Sequence, residues 1–139
     1  MYFSVAVGTD AELDESSVDD VSHTEYRIVS QWREVSSNEK HHLRDRVDEI
    51  LRPLGYETRL LVIDRANSIA LFFICMTLSA LMSLRHKWSS GQLKATVQSL
   101  FTFLSAATRT IHIKRLSWPE TGYERSLKFF SFAQGKQQS

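Results

Sequence analysis

Residues 68–84 read SIALFFICMTLSALMSL, a run of 17 residues in which Cys75 is the only ionisable side chain. Arg65 precedes this run, and Arg85, His86 and Lys87 follow it. An apolar run of this length either crosses a membrane or forms the centre of a globular core. The choice between these two structures determines how the rest of the chain is interpreted.

The run is at the lower limit for a membrane span. A helix that crosses the hydrocarbon needs about 20 apolar residues, and about 17 is the minimum. The run also contains four hydroxyl side chains, which are Ser68, Thr77, Ser79 and Ser83. The basic residues after it do suit a cytoplasmic flank, so a single-span membrane protein is an alternative to the globular core.

The residue types change midway through the run, which indicates two elements. Residues 69–74 are β-branched, aromatic or aliphatic, as in a strand buried within a sheet. Residues 78–84 favour helix and repeat their apolar side chains at helical spacing. We therefore predict a strand that ends near Met76 and a helix that begins near Thr77 or Leu78. The Thr77 hydroxyl can cap this helix by accepting a free amide of its first turn.

The composition is that of an ordinary globular domain. The chain has 139 residues, of which 42% are hydrophobic and 24% are charged, and its formal net charge is +1. One cysteine cannot form an internal disulfide, and Cys75 lies in the apolar run, so we expect a buried thiol. The N-terminus lacks the basic flank and the apolar length of a secretory signal. We therefore expect a cytoplasmic protein.

Charge is unevenly distributed along the chain. Residues 1–20 contain six acids and no base, whereas residues 81–139 contain nine lysines or arginines and two acids. A solvated acidic loop and a basic helical face account for this pattern. The alternative is an acidic partner, or self-association through patches of opposite charge.

Periodicity and turn residues predict the order of the other elements. We predict strands over 2–7, 56–64, 69–76 and 109–118, and helices over 37–51, 78–88, 92–105 and 121–133. Residues 24–35 fit both a strand and a helix, and helix is preferred. Residues 9–23 are predicted to form a mobile acidic loop, and 134–139 a frayed tail.

This order contains the β-α-β-β-α-β pattern of ferredoxin-like domains. Residues 1–139 are therefore predicted to form a single α+β domain with a four-stranded antiparallel sheet. Additional helices are expected on one face of that sheet, because the helical apolar stripes are one-sided. The short connection through Ala66 and Asn67 predicts an antiparallel hairpin between the second and third strands.

Catalytic and metal-binding patterns are absent from the sequence. No two histidines are four residues apart, and there is no HExxH pattern, phosphate loop or GxSxG elbow. We therefore predict no catalytic residue, no metal ligand, no cofactor and no small-molecule substrate. Ferredoxin-like sheets often stack RNA bases on strand aromatics, but the glycines of the RNP1 pattern are missing. We expect Phe72 and Phe73 to lie in the core instead.

Four segments carry a resemblance to a known family. They are HHLRDRVDEILRPLG, RLLVIDRANSIALFFIC, LSALMSLRHKWSSGQLKATVQSLFTFLS and RTIHIKRLSW, and the opening YFSV fits a preceding first strand. From Leu43 onward, their order and spacing resemble the N-terminal domain family of TRADD, the TNF-receptor-associated death-domain adaptor. The resemblance covers most of the chain, although no short signature motif supports it.

The resemblance implies a four-stranded antiparallel sheet with helices on one face. It also implies a non-catalytic adaptor of death-receptor signalling that docks on TRAF-type proteins through the sheet edge and first-strand aromatics. Tyr2 matches a contact tyrosine of the first strand, and Arg65 matches a contact arginine near the hairpin. Ser4 stands where the family has a phenylalanine, and this sequence contains no death domain, so the partner can differ.

The sequence therefore predicts a cytoplasmic protein-protein interaction domain that is not an enzyme and has Tyr2 and Arg65 among its partner-binding residues. Large side chains such as tryptophan also anchor interfaces, and Trp32, Trp88 and Trp118 are further candidates unless they fill the core. The alternatives are the single-span membrane protein and a ferredoxin-like nucleic-acid-binding module. The basic residues available to that module are Lys87, Lys94, Lys114 and Arg115.

Overall fold

The computed structural model describes the backbone of residues 4–37 and 41–138, and the side chains of these ranges except 41 and 133–138. Its strands are β1 (Val5–Leu13), β2 (Thr58–Arg65), β3 (Ile69–Cys75) and β4 (Ile113–Ser117). Its α-helices are α1 (Val21–Ser36), α2 (His41–Leu51), α3 (Leu78–Ser90), α4 (Gln92–Leu104) and α5 (Glu120–Gln138). The predicted α+β class is confirmed.

The apolar run over residues 68–84 turns a corner, as predicted. Its first part is β3, which ends at Cys75, and its second part begins α3 at Leu78. The Thr77 hydroxyl accepts a hydrogen bond from the amide of Ala80 at 3.0 Å and so caps α3. Among the described residues, no helix combines the length and the apolar character that crossing a membrane requires.

The four strands form one antiparallel sheet in the order β2-β3-β1-β4. β3 and β1 lie at its centre, where Phe73 is opposite Val7 and Phe72 is opposite Gly8. β2 and β3 form the predicted hairpin, in which Leu61 is an extra residue that shifts the register. The four-stranded antiparallel sheet expected from the sequence is therefore present.

One face of the sheet is buried and the other is open. Along β1 the buried residues alternate with exposed ones, because successive side chains of a strand point to opposite faces. α1, α3 and α4 pack on the buried face. The fully buried side chains beneath them include Leu71 and Phe73 of β3 and Leu100 and Phe101 of α4.

β1 is longer than the sequence indicates, so the predicted loop over 9–23 is wrong for its first part. The prediction ended the first strand at Gly8, but β1 continues through Gly8 to Leu13. The Phe72 ring lies across Gly8, and a Cβ at position 8 would be 3.1 Å from the Phe72 Cε1 atom. A glycine is therefore accommodated within this strand by the aromatic side chain of its neighbour.

The remainder of the 9–23 segment is ordered by local hydrogen bonds. The Asp14 carboxylate accepts two hydrogen bonds from Ser16, one from its hydroxyl at 2.8 Å and one from its backbone amide at 3.0 Å. These bonds lower the pKa of Asp14. Asp20 then accepts the amide of His23 at 3.2 Å and caps α1. Asp and Ser favour such caps, so the acidic and serine-rich composition marks helix starts here.

Other boundaries also differ from the prediction. α1 covers 24–35, which confirms the preference for helix, and the predicted strand over 109–118 is shortened to β4. Ile111, which precedes β4, donates its amide to the Thr102 hydroxyl of α4 at 3.0 Å. Ile113, the first residue of β4, donates its amide to the Gln98 side-chain oxygen of α4 at 2.8 Å. The segment 134–138, expected to fray, continues α5. Ser139 is outside the described residues.

Candidate functional site

The resemblance implies two partner-binding residues, Tyr2 and Arg65, and the structure describes only Arg65. Tyr2 lies outside the described residues. Arg65 ends β2 beside the hairpin, where its guanidinium donates to the Ser22 hydroxyl at 3.1 Å and lies 3.6 Å from the Glu25 carboxylate. The Arg65 side chain is 41% exposed, so a partner can reach it, although α1 already holds it in place.

The tryptophans are mainly structural. Trp32 and Trp118 are buried, and the partly buried Trp88 donates its indole N–H to the carbonyl of Leu116 at 2.8 Å. Because an interface anchor must be exposed before the partner binds, Trp32 and Trp118 are not anchors of the kind the sequence suggested. The aromatic residues that are exposed lie elsewhere.

Trp88 and Trp118 belong to a cluster built around Arg85. The Cζ atom of Arg85 lies 4.2 Å from the ring centre of Trp88, 5.2 Å from that of Trp118 and 4.8 Å from that of Tyr123. Its guanidinium also donates to the carbonyl of Trp118 at 2.7 Å and to the carboxylate of Glu120 at 3.1 Å. This arginine cluster connects α3 with the segment between β4 and α5.

The open face of the sheet presents adjacent apolar side chains. Phe72 of β3 is 40% exposed, and Val62, opposite it on β2, is 39% exposed. Ile74 lies two residues further along β3, on the same face, and is partly buried. We call Val62, Phe72 and Ile74 the open-face patch. It is held on two hydrogen-bonded strands, so its geometry is rigid.

The expectation that Phe72 and Phe73 both lie in the core is half right. Phe73 is fully buried, whereas Phe72 belongs to the open-face patch. Neighbouring residues of one strand must point to opposite faces. The signal that could have identified Phe72 as exposed is therefore the strand assignment itself, combined with a sheet covered by helices on one face.

The basic residues of the nucleic-acid alternative lie on α3, α4 and β4. Lys94 and Arg115 line a cleft of about 400 Å³ beside Trp88. The amine of Lys114 lies 3.7 Å from the Glu12 carboxylate, which neutralises it. Lys87 lies in the last turn of α3.

A larger groove, of about 620 Å³, lies between α2 and the start of β2. We call it the α2–β2 groove. Its lining includes Trp32 of α1, Val47 of α2 and Leu60 of β2, with arginines and Tyr56 around them. The sequence did not indicate it, because its walls come from three elements and a connecting turn.

Titratable groups with changed pKa values are few in the described side chains, and no set of three His, Cys, Asp or Glu residues there could hold a metal ion. Cys75 is fully buried, which confirms the predicted environment. Burial raises the pKa of its thiol to about 11, although a hydrogen bond with Thr58 acts in the opposite direction. The neutral thiol therefore stabilises the fold fully below about pH 9, and this contribution is lost as the pH rises towards 11.

We expect Cys75 to react with iodoacetamide about 100-fold more slowly in the folded protein than in concentrated urea, at about pH 8. The unfolded thiol is about one-tenth ionised at that pH, whereas only about one in a thousand buried thiols is ionised. Mass spectrometry of the alkylated chain measures both rates. Ser83→Cys combined with Cys75→Ala is the exposed control, and it should react rapidly without urea. Similar rates for Cys75 in both states would contradict its burial.

Comparison with protein-family models finds no family that matches this chain, and comparison with curated proteins finds no matching relative. The open-face patch and the α2–β2 groove each place an exposed aromatic side chain beside apolar neighbours.

Proposed function

We propose that this chain is a non-catalytic protein-protein interaction domain that binds its partner through the open face of the sheet. The observation that carries the proposal is the exposure of Phe72 at the centre of the sheet. Single exposed apolar residues are common on protein surfaces. Here, however, Val62 and Ile74 adjoin Phe72 on one face, and contiguous apolar surface of this kind is typical of interaction sites.

The rigidity of this face favours binding. β3 is hydrogen-bonded on both sides, to β2 and to β1. Phe72 is further held by its position across Gly8. A side chain that is already ordered loses little conformational entropy when a partner covers it, so more of the burial energy contributes to affinity. Large aromatic residues in such positions often dominate the energy of an interface.

We also propose that the domain is related to the TRADD N-terminal family and that its sheet is ferredoxin-like. The strand order β2-β3-β1-β4, with every neighbouring pair antiparallel, supports the second point, because each β-α-β connection then spans one intervening strand. The position of Arg65 beside the hairpin supports the first. On this proposal the partner is a TRAF-type protein of cytoplasmic death-receptor signalling, which contacts Tyr2 and also reaches Arg65 around the β2 edge of the sheet, because Arg65 lies against α1 and not on the open face.

The proposal predicts that Phe72→Ser weakens binding to a purified TRAF domain by about tenfold or more, which corresponds to about 1.4 kcal/mol. Biolayer interferometry with immobilised TRAF domain measures the affinity, and Arg65→Ala and Tyr2→Ala are expected to weaken it as well. Met82→Ser, an exposed apolar change on α3, is the matched control and should bind like the wild type.

Two results would count against the proposal. If the wild-type chain does not bind TRAF domains, the proposed partner is wrong. If it binds and Phe72→Ser binds equally well, the open-face patch is not the interface. Circular dichroism of each variant establishes that a loss of binding does not come from unfolding.

A further inference from the structure

The α2–β2 groove has an apolar floor. Four side chains that are nearly buried in the domain core also line this cavity: Trp32, Val47, Leu54 and Leu60. They come from α1, α2, the turn after α2, and β2. An incoming apolar side chain would therefore contact a surface that is continuous with the core and already fixed by it.

The rim of the groove is positively charged. Arg44, Arg52 and Arg59 line it, and Asp48 is the one acidic residue among the lining residues. The Arg44 guanidinium lies 3.4 Å from the Asp48 carboxylate, so that pair is neutral. Within the described part of the chain, Arg52 and Arg59 form no ion pair. The groove therefore has two guanidinium groups available for an anionic ligand.

Tyr56 stands at the mouth of this groove. It is 94% exposed, more than any other large hydrophobic residue among the described side chains. The preceding Gly55 adopts a positive φ of 91°, a conformation that glycine reaches without strain. This backbone turn positions Tyr56 between the end of α2 and the start of β2. Tyrosine and arginine are the side chains most enriched at the energetic centres of interfaces.

We propose that the α2–β2 groove binds an acidic peptide segment of another protein, in which carboxylate side chains flank a large apolar residue. The carboxylates pair with Arg52 and Arg59, whose guanidinium groups can each donate two parallel hydrogen bonds. The apolar residue enters the floor between Val47 and Leu60. A volume of about 620 Å³ is within the range of pockets that enclose small ligands or a few side chains.

The charge of the groove favours a peptide over a nucleic acid. Nucleic acids bind along extended tracks of many basic residues, whereas this groove has two unpaired arginines above an apolar floor. The proposal goes beyond the open-face interface, because none of the groove residues belongs to the open-face patch. Arg59 nevertheless lies opposite Ile74 of that patch, so TRAF binding is also measured for the Arg52→Glu/Arg59→Glu variant, to separate the two sites on the same folded chain.

A displayed library of random dodecapeptides tests the proposal. The library is selected on the wild-type chain and counter-selected on Arg52→Glu/Arg59→Glu. We expect enriched peptides to carry Asp or Glu beside a large apolar residue. A synthetic peptide of the enriched sequence should bind the wild type about tenfold or more tightly than the double variant, as fluorescence anisotropy measures, and bind less tightly as salt is added.

The control variants separate the groove from general charge and from the open face. Arg46→Glu/Lys128→Glu makes the same change in net charge at two exposed positions outside the groove lining, and Phe72→Ser alters the open-face patch. Both should bind the peptide like the wild type. If Arg52→Glu/Arg59→Glu does not fold by circular dichroism, Tyr56→Ala replaces it and should weaken the peptide about threefold or more.

The proposal is overturned if no peptide is enriched, or if the enriched peptides are neutral or basic. It is also overturned if the two charge-reversal variants bind the peptide equally well. Binding of a single-stranded oligonucleotide that depends on Arg52 and Arg59, without enrichment of acidic peptides, would assign the groove to nucleic acid instead. These outcomes test the α2–β2 groove. TRAF binding by the Phe72→Ser variant tests the open-face patch, so either proposal can fail while the other stands.

Discussion

Phe73→Ala is expected to lower the free energy of unfolding by about 3–5 kcal/mol. Phe73 is fully buried in β3, opposite Val7 of β1 and Leu60 of β2. Removal of its ring leaves a cavity that the close-packed neighbours cannot fill. Such a loss is a large part of the total stability of a small domain, which is about 5–15 kcal/mol. Urea unfolding followed by circular dichroism measures it.

The neighbouring residue provides the matched control. Phe72→Ala removes the same atoms from the same strand, but from the open face, where the ring is 40% exposed. We expect a loss of about 1–2 kcal/mol, because less apolar surface returns to water and no internal cavity forms. Equal losses for the two variants would contradict the assignment of a buried and an open face.

Arg85→Ala is expected to cost about 2–4 kcal/mol. The change removes a charge-assisted hydrogen bond to the Trp118 carbonyl and leaves that carbonyl without its donor. It also removes the cation from among three aromatic rings, and such contacts contribute about 0.5–2 kcal/mol when partly desolvated. Thermal and urea unfolding followed by circular dichroism measure the loss.

Two further substitutions identify which interaction of Arg85 matters. Glu120 is 71% exposed in its side chain, so Glu120→Gln should cost less than about 1 kcal/mol. Arg85→Lys keeps the charge but loses the planar fork that stacks on the rings, and its cost should lie between the other two. If Glu120→Gln costs as much as Arg85→Ala, the ion pair and not the aromatic cluster provides the stability.

Local composition was sufficient to predict the corner between β3 and α3. The change from β-branched and aromatic residues to good helix formers occurs within a few positions, and Thr77 marks the boundary. Residues 24–35 were harder, because their apolar residues fit a period of two as well as a helical period. The tertiary structure resolves this: Ile28, Trp32 and Val35 of α1 are all buried.

Glycine was a misleading signal at position 8. Glycine usually ends or interrupts a strand, but here a neighbouring aromatic ring occupies the space of the missing side chain. That ring comes from β3, far away in the sequence, so the sequence near Gly8 could not indicate it.

The candidate sites could be predicted only in part. Arg65 lies beside the hairpin, as expected, but its neighbours Ser22 and Glu25 belong to α1 and were not identified. The α2–β2 groove was missed altogether. In the sequence Arg52 only follows a predicted helix and Tyr56 only begins a predicted strand, and their relation to Trp32 exists only after α1 and α2 have packed.

The two edges of the sheet differ in what they can bind. At β4, the Trp88 indole already binds the Leu116 carbonyl, and the Gln98 amide oxygen already binds the Ile113 amide. α5 lies along the part of β1 that β4 does not reach. Strand addition is therefore limited to β2. Within the described residues, two copies joined through β2 would leave only the partly occupied β4 edges for a third, so edge pairing of this chain favours a dimer over a fibre.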